Sequence, residues 1–110
     1  MSYEIRVTRA AERDIGSAVD YIDRVLLNPQ AADELLDEME RAVSGLADFP
    51  KMHGLADDPV LKSWGVRFLP VKSYMVFYVI AEESRTIFVV RFLYGKRDWV
   101  PILRQGFTLN

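Results

Sequence analysis

Cysteine is absent from this 110-residue chain, and histidine occurs once, as His53. Without Cys the chain has no disulfide framework, no Cys-based metal site and no thiol nucleophile. His53 has no serine or carboxylate placed by the sequence to complete a catalytic triad, so a Ser/His/Asp hydrolase is not supported. We therefore expect a fold that needs no disulfide, metal or other cofactor, in the reducing cytoplasm.

Long apolar runs are also lacking. No stretch approaches the ~18 consecutive apolar residues of a membrane span, and the first residues, Met1 to Ile5, do not resemble a signal peptide. There is no internal repeat, low-complexity tract or Pro/Gly/Ser-rich linker. These absences predict one soluble domain covering residues 1–110, with no membrane partner.

Acidic residues are scarce in the last part of the chain. From Met1 to Lys62 there are seven Lys/Arg and thirteen Asp/Glu, a net charge of −6. From Ser63 to Asn110 there are seven Lys/Arg and three Asp/Glu, a net charge of +4. The overall charge of −2 therefore hides a dipolar molecule, which indicates that a cationic surface can face a polyanion while the acidic half faces away.

The acidic half reads as one strand followed by two helices. Tyr3 to Thr8 alternates apolar and polar residues, as a half-buried strand does. Thr8 can cap a first helix that runs to about Leu26, and Asn28-Pro29 is a start signal for a second that ends near Leu46. Each helix has one apolar stripe, so the two are expected to pair as a hairpin over a sheet.

The basic half reads as three strands. They are Val66–Val71, Tyr74–Ile80 and Thr86–Tyr94, and short turns join them. Ala47–Trp64 is predicted to be an irregular connection with one short helical turn, and Pro70 indicates an edge position or a bulge. The predicted fold class is α+β, in the order β-α-α-β-β-β. Its helical hairpin packs on one face of a small antiparallel twisted sheet, and the other face is left partly open.

Four ordered segments resemble the RelE/ParE toxins of bacterial type II toxin-antitoxin modules. They are Leu46–Pro50, Gly65–Val71, Tyr74–Tyr78 and Val90–Trp99, the last containing Tyr-Gly-Lys-Arg-Asp. The resemblance covers essentially the whole chain. It implies a cytoplasmic toxin neutralised by a cognate antitoxin, which we expect along the helical hairpin and the exposed sheet as an amphipathic helix, with an added edge strand as a further possible contact.

Within that superfamily, RelE-like members cleave mRNA on the ribosome without a metal and ParE-like members inhibit DNA gyrase. RNA cleavage needs a deprotonated 2′-hydroxyl, cations for the developing phosphorane charge and an acid for the leaving oxygen. The resemblance implies that Arg97 and Lys96 contact the phosphate, with Arg67 and Lys72 as further catalytic cations. A lysine whose pKa is lowered by its cationic neighbours can serve as the general base.

Three more residues are candidate RNA contacts. Tyr94 and Tyr74 can stack on a base or simply cover the sheet, as aromatic residues on strands usually do. Arg91 alternates with Val89 and Leu93 on a strand, which makes it either a half-buried ion-pair member or a site residue. Both interpretations of each residue stay open at this level.

The sequence also departs from the RelE-like pattern. Met75 stands where active members carry an arginine, and the segment after Gly-Lys-Arg supplies neither the Tyr nor the His that they carry. Three hypotheses follow. The favoured hypothesis is a ribosome-dependent endoribonuclease with ribosome and mRNA as partners. The second is a DNA gyrase inhibitor, and the third is an inactive antitoxin-binding module.

Overall fold

The computed structural model describes residues 2–110, which form one mixed sheet with helices on both faces. The strands are β1 (Glu4–Val7), β2 (Arg67–Val71), β3 (Tyr74–Ala81) and β4 (Thr86–Tyr94). The helices are α1 (Arg9–Asp20), α2 (Pro29–Leu46), α3 (Pro59–Ser63) and α4 (Trp99–Arg104). The predicted α+β order is confirmed, and α4 is an addition that the sequence patterns did not predict.

Both predicted helix starts are confirmed by their caps. The Thr8 hydroxyl accepts a hydrogen bond from the Ala11 N–H at 3.2 Å, and the Asn28 side chain accepts one from the Ala31 N–H at 3.1 Å. These bonds satisfy N–H groups that a first helical turn leaves unpaired. The end of the first helix differs from the prediction, because α1 stops at Asp20 and a π-helical turn, Tyr21–Val25, follows it.

The strand order is β1-β4-β3-β2. Tight turns join the last three strands, so they are antiparallel as predicted. The prediction of a wholly antiparallel sheet is wrong at β1, which runs parallel to β4. The physical reason is that the helical hairpin carries the chain across the sheet, so β1 and β2 point the same way at opposite edges.

Both faces of the sheet are covered, which corrects the expectation of a partly open second face. On the first face α2 packs Leu35 and Met39 against strand residues such as Tyr78. On the second face α3, α4 and the chain end pack against another set of strand residues, with Leu61, Phe77, Val90, Leu93 and Leu103 at the centre. The sequence signal was present, because β3 is apolar at every position, as in a strand buried on both sides.

A β-bulge interrupts β4. Tyr78 pairs with Val89 and Phe77 pairs with Arg91, which leaves Val90 as the extra residue. The short β1 ends beside Val89, so the next part of the β4 edge has no strand neighbour. There the Thr8 hydroxyl donates to the Val90 carbonyl at 3.2 Å, and the Asp14 carboxylate accepts from the Phe92 N–H at 3.0 Å.

Candidate functional site

The β2–β3 turn and the end of β4 lie side by side and form what we call the cationic end: Lys72, Tyr74, Tyr94, Lys96 and Arg97. Tyr74 pairs with Tyr94 across the two strands. Beyond this pair the Gly95 N–H donates to the Ser73 carbonyl at 2.8 Å. A Cβ at Gly95 would lie 3.1 Å from the same oxygen, so glycine allows the two segments to approach this closely.

The three cations of this end are exposed and have no carboxylate partner. Lys72 sits in the turn at a φ of 53°, a left-handed backbone that residues other than glycine rarely adopt. Lys96 and Arg97 follow Gly95, and the Arg97 N–H donates to the Tyr94 carbonyl at 3.0 Å. Among residues 2–110, no Asp or Glu lies within ion-pair distance of any of the three.

The tyrosines of this end form an aromatic cluster. The Tyr74 ring stacks on Phe92 with centroids 5.0 Å apart and meets the edge of Tyr94 at 5.6 Å. Burial raises the pKa of the Tyr74 hydroxyl, and the neighbouring Tyr21 and Tyr94 add to the effect. Tyr74 therefore keeps its proton at neutral pH, whereas Tyr94 is 43% exposed and open to contact.

Arg91 is an ion-pair member. Its guanidinium donates two hydrogen bonds to Asp14, at 2.6 and 3.0 Å, and both side chains are mostly buried. This is the bidentate geometry that makes an arginine–carboxylate pair strong. Asp14 and Arg97 line one shallow cavity of about 270 Å³ together with Tyr74 and Tyr94, so Asp14 forms part of a wall beside the cationic end.

Arg67 lies elsewhere. It pairs with Tyr78 near the start of β2, and its guanidinium donates to the His53 carbonyl at 2.7 Å. Val71 at the turn lies four positions further along β2, roughly 13 Å at ~3.3 Å per residue. The structure thus brings Lys72, Lys96, Arg97, Tyr74 and Tyr94 together and leaves Arg67 apart.

An apolar groove, which no sequence pattern predicted, adjoins the cationic end. It has a volume of about 580 Å³ and is lined by Tyr21, Ile22, Leu26, Ser73, Tyr74 and Tyr94. The hairpin tip beside it exposes large apolar side chains, with Leu26 at 55% and Leu27 at 80%. The available signal was the apolar pair Leu26-Leu27 directly before the Asn28 cap, where a solvated turn is the usual expectation.

Within residues 2–110 no group of three or more His, Cys, Asp or Glu side chains is placed to hold a metal ion. No helix of the described chain is both long and apolar enough to cross a membrane.

Comparison with known proteins identifies the family. The family model described as the ParE toxin of the type II toxin-antitoxin system parDE matches residues 5–99. A chain of the chromosomal ParDE toxin-antitoxin system from P. aeruginosa has a similar fold, with a TM-score of 0.69 and 18% identity over 86% of this chain and 98% of that one.

A chain of the toxin-antitoxin complex RelBE2 from Mycobacterium tuberculosis is also similar, with a TM-score of 0.59 and 20% identity over 86% of this chain and 99% of that one. A search of curated protein sequences gives no match. These two structural similarities concern the fold. The family match spans most of the sequence, and it confirms the RelE/ParE resemblance: this chain belongs to the ParE toxin family of type II toxin-antitoxin systems.

Proposed function

We propose that this toxin acts as an inhibitor of DNA gyrase and that a cognate antitoxin neutralises it. The match of residues 5–99 to the ParE toxin model supports the assignment to the gyrase-directed branch. The fold similarity to a chain of a ParDE system agrees with it. Inhibition of this kind requires complementary contacts and no covalent chemistry by the toxin.

The observation that carries the proposal is that the predicted RNA-cleaving set is incomplete at the cationic end. Arg67 lies at the far end of β2 and is bound to a backbone carbonyl, and Arg91 is bound by Asp14. Tyr74 is partly buried in the aromatic cluster, where its ring stacks on Phe92. With Met75 in place of the expected arginine, few groups remain to complete an acid–base mechanism.

The cationic end is well suited to recognition. Three exposed cations without carboxylate partners sit next to the exposed Tyr94. Such a surface attracts an acidic protein surface or the phosphates of enzyme-bound DNA, and its lysines and arginine pay little desolvation cost because they remain near solvent. We assign the gyrase contact to this end.

The apolar groove supports an antitoxin contact. Its lining by Tyr21, Ile22, Leu26 and Tyr74 fits the apolar face of an amphipathic helix. The groove shares Tyr74 and Tyr94 with the cationic end, so an antitoxin seated there covers both. Neutralisation then follows from simple occlusion of the target-binding surface.

Ribosome-dependent mRNA cleavage is the second candidate. Clustering of Lys72, Lys96 and Arg97 beside Tyr94 favours it, because phosphate-binding cations next to a stacking ring are what a single RNA strand requires. In this case the same end contacts mRNA, and Arg97 stabilises charge at the scissile phosphate.

The decisive experiment compares two reactions with the purified toxin. Under the gyrase proposal it inhibits supercoiling and traps covalent gyrase–DNA complexes, while mRNA on purified ribosomes stays intact. The variant K72Q/K96Q/R97Q should lose inhibition by at least about tenfold, because three charged contacts are removed. R13Q/R24Q/R41Q, which removes three exposed helical cations, is the matched control and should behave like the unsubstituted toxin.

The opposite pattern supports the second candidate. Primer extension would then show mRNA cut on ribosomes, Arg97→Ala would abolish the cuts, and supercoiling would be unaffected. Expression without antitoxin that causes no growth arrest would contradict both candidates and leave an inactive antitoxin-binding module.

A further inference from the structure

The two edges of the sheet are not equally protected. On β2 the outward-facing groups belong to Val66, Phe68 and Pro70. The Phe68 N–H donates to the Gly54 carbonyl, and the Val66 carbonyl accepts from Ala56. Pro70 has no N–H at all. This edge therefore has no free donor for another strand along its described length, which is a common protection against unwanted pairing.

The β1 edge is open at Ile5 and Val7, between the Tyr3 N–H, which donates to the Ala47 carbonyl, and the Arg9 N–H, which donates to the Asn110 carbonyl at 2.7 Å. The Glu4 N–H donates to the Arg85 carbonyl and the Thr8 N–H donates to the Val89 carbonyl, so the backbone N–H and C=O groups of the even-numbered residues point toward β4. Alternation along a strand turns the amide and carbonyl groups of Ile5 and Val7 the other way. Within residues 2–110 no acceptor is found for these two N–H groups.

We propose that a second copy of this chain pairs with this edge, β1 against β1 in antiparallel orientation, about a two-fold axis at Ile5. The inference is independent of the proposed function. In this register Ile5 faces Ile5 of the second copy, and the two residues exchange both of their backbone hydrogen bonds. The Val7 N–H then donates to the Tyr3 carbonyl of the second copy, and the two four-stranded sheets join into one.

The side chains of β1 complement themselves in this register. Glu4 and Arg6 flank the axis residue, so Glu4 of each copy lies directly opposite Arg6 of the other. Both side chains are exposed, 59% and 63%, and within one chain they already form a pair at 3.2 Å on the same face. Opposite charges facing each other across strands stabilise pairing, and like charges weaken it.

The ladder is short, which limits its strength. The Tyr3 N–H is already bound by the Ala47 carbonyl at 2.8 Å, so pairing ends at the Tyr3 carbonyl. A contact of this size falls below the ~1,200 Å² of standard interfaces, and we expect association only at high concentration. Because the copies are antiparallel, the two cationic ends point away from each other and stay accessible.

Charge reversal at the edge tests the proposal. Sedimentation equilibrium of the full-length chain up to roughly 0.5 mM, a range suited to weak contacts, should show a monomer–dimer equilibrium. Arg6→Glu places four glutamates around the axis and should weaken dimerisation at least about tenfold. The swap E4R/R6E restores opposite charges in each pair and should restore the dimer.

A mixing experiment separates this register from others. The variants E4R and R6E should each be monomeric, and an equimolar mixture should form a heterodimer. Amide exchange measured by NMR should slow for Ile5 and Val7 as concentration rises, while the Phe68 amide, already bonded within the chain, should not change. Arg41→Glu, an exposed reversal on α2, is the control and should leave the dimer unaffected.

Three results would overturn the proposal: a chain that is monomeric at every concentration, a dimer that is indifferent to Arg6→Glu, or a swap that fails to restore it. A monomeric chain whose antitoxin binding alone weakens on Arg6→Glu would also overturn it, because the edge would then receive the antitoxin.

Discussion

Asp14 illustrates how much one residue can organise at this site. Its carboxylate accepts three hydrogen bonds, two from Arg91 and one from the Phe92 N–H. It thus holds the bulged edge of β4 where β1 has ended and fixes the side of the cavity that Arg97 also lines. A residue that looks like ordinary helix-surface charge in the sequence proves to be a structural anchor.

Asp14→Ala should lower the free energy of unfolding by about 2–4 kcal/mol, because it leaves a half-buried guanidinium and a strand N–H without an acceptor. Urea denaturation followed by circular dichroism measures the change. Glu38→Ala, which breaks an exposed pair with Arg41, should cost less than about 1 kcal/mol. Equal losses for the two variants would contradict the anchoring role.

At the scale of elements, one ion pair adds to the apolar packing between α3 and α4. Asp58 caps α3 by accepting from the Leu61 N–H at 3.1 Å, and it also accepts two hydrogen bonds from Arg104 on α4, at 2.7 and 3.1 Å. The bonds to Arg104 are the largest cause that lowers the pKa of Asp58 below its ordinary value of 3.8, and the cap adds to them. This clamp closes the second face of the sheet.

The pH dependence of stability follows from that lowered pKa. The unfolded chain takes up the Asp58 proton at a higher pH than the folded chain, so the clamp stabilises fully above the unfolded value and is lost as pH falls through the folded one. The urea concentration at the midpoint of unfolding should therefore decrease when the pH is lowered below about 4. Asp58→Asn should make this drop shallower.

Glu82 also has a lowered pKa, through its hydrogen bond from Tyr3 and its contact with Lys51. It contributes to the same acid transition and remains in the Asp58→Asn variant, so only part of the pH dependence should disappear. A variant with an unchanged acid transition would show that the clamp does not contribute.

For the whole molecule, charge distribution outweighs net charge. The chain carries −2 overall, yet its described cationic end has three cations without partners. Retention on a heparin column should therefore be measurable at low salt and should fall with rising ionic strength. K72Q/K96Q/R97Q should elute unretained.

The matched control is R13Q/R24Q/R41Q, which removes three exposed helical cations and changes net charge by the same amount. It should keep most of the retention. If both triple variants elute alike, net charge governs binding and the cationic end has no special role.

Local patterns were enough to predict most elements, because apolar periodicity and caps such as Thr8 and Asn28 act within a few residues. Pairing is set by distant parts of the chain, so the parallel partner of β1 was not predicted. The α4 helix was missed because it is only six residues long and contains Pro101.

For the site residues too, local placement could be predicted and contacts between distant parts of the chain could not. Lys72, Lys96 and Arg97 come together because a turn and a strand end are neighbours, which chain order suggests. Arg67 lies apart because it stands at the end of β2 that is away from the turn. The ion pair between Arg91 and Asp14 joins residues 77 positions apart in the chain. No pattern confined to one segment contains that information.

The bulge at Val90 reverses which residues of β4, odd-numbered or even-numbered, face the helical hairpin. Before it, odd-numbered residues such as Val89 face the helical hairpin; after it, even-numbered residues such as Phe92 do. Deleting Val90 would restore regular alternation and keep Phe92 opposite Val76, whereas an inserted residue that joined the alternation would send Phe92 and Tyr94 to the opposite face and dismantle the aromatic cluster. Insertions in related chains should accordingly be tolerated in the connection before α3 but not between Val89 and Phe92.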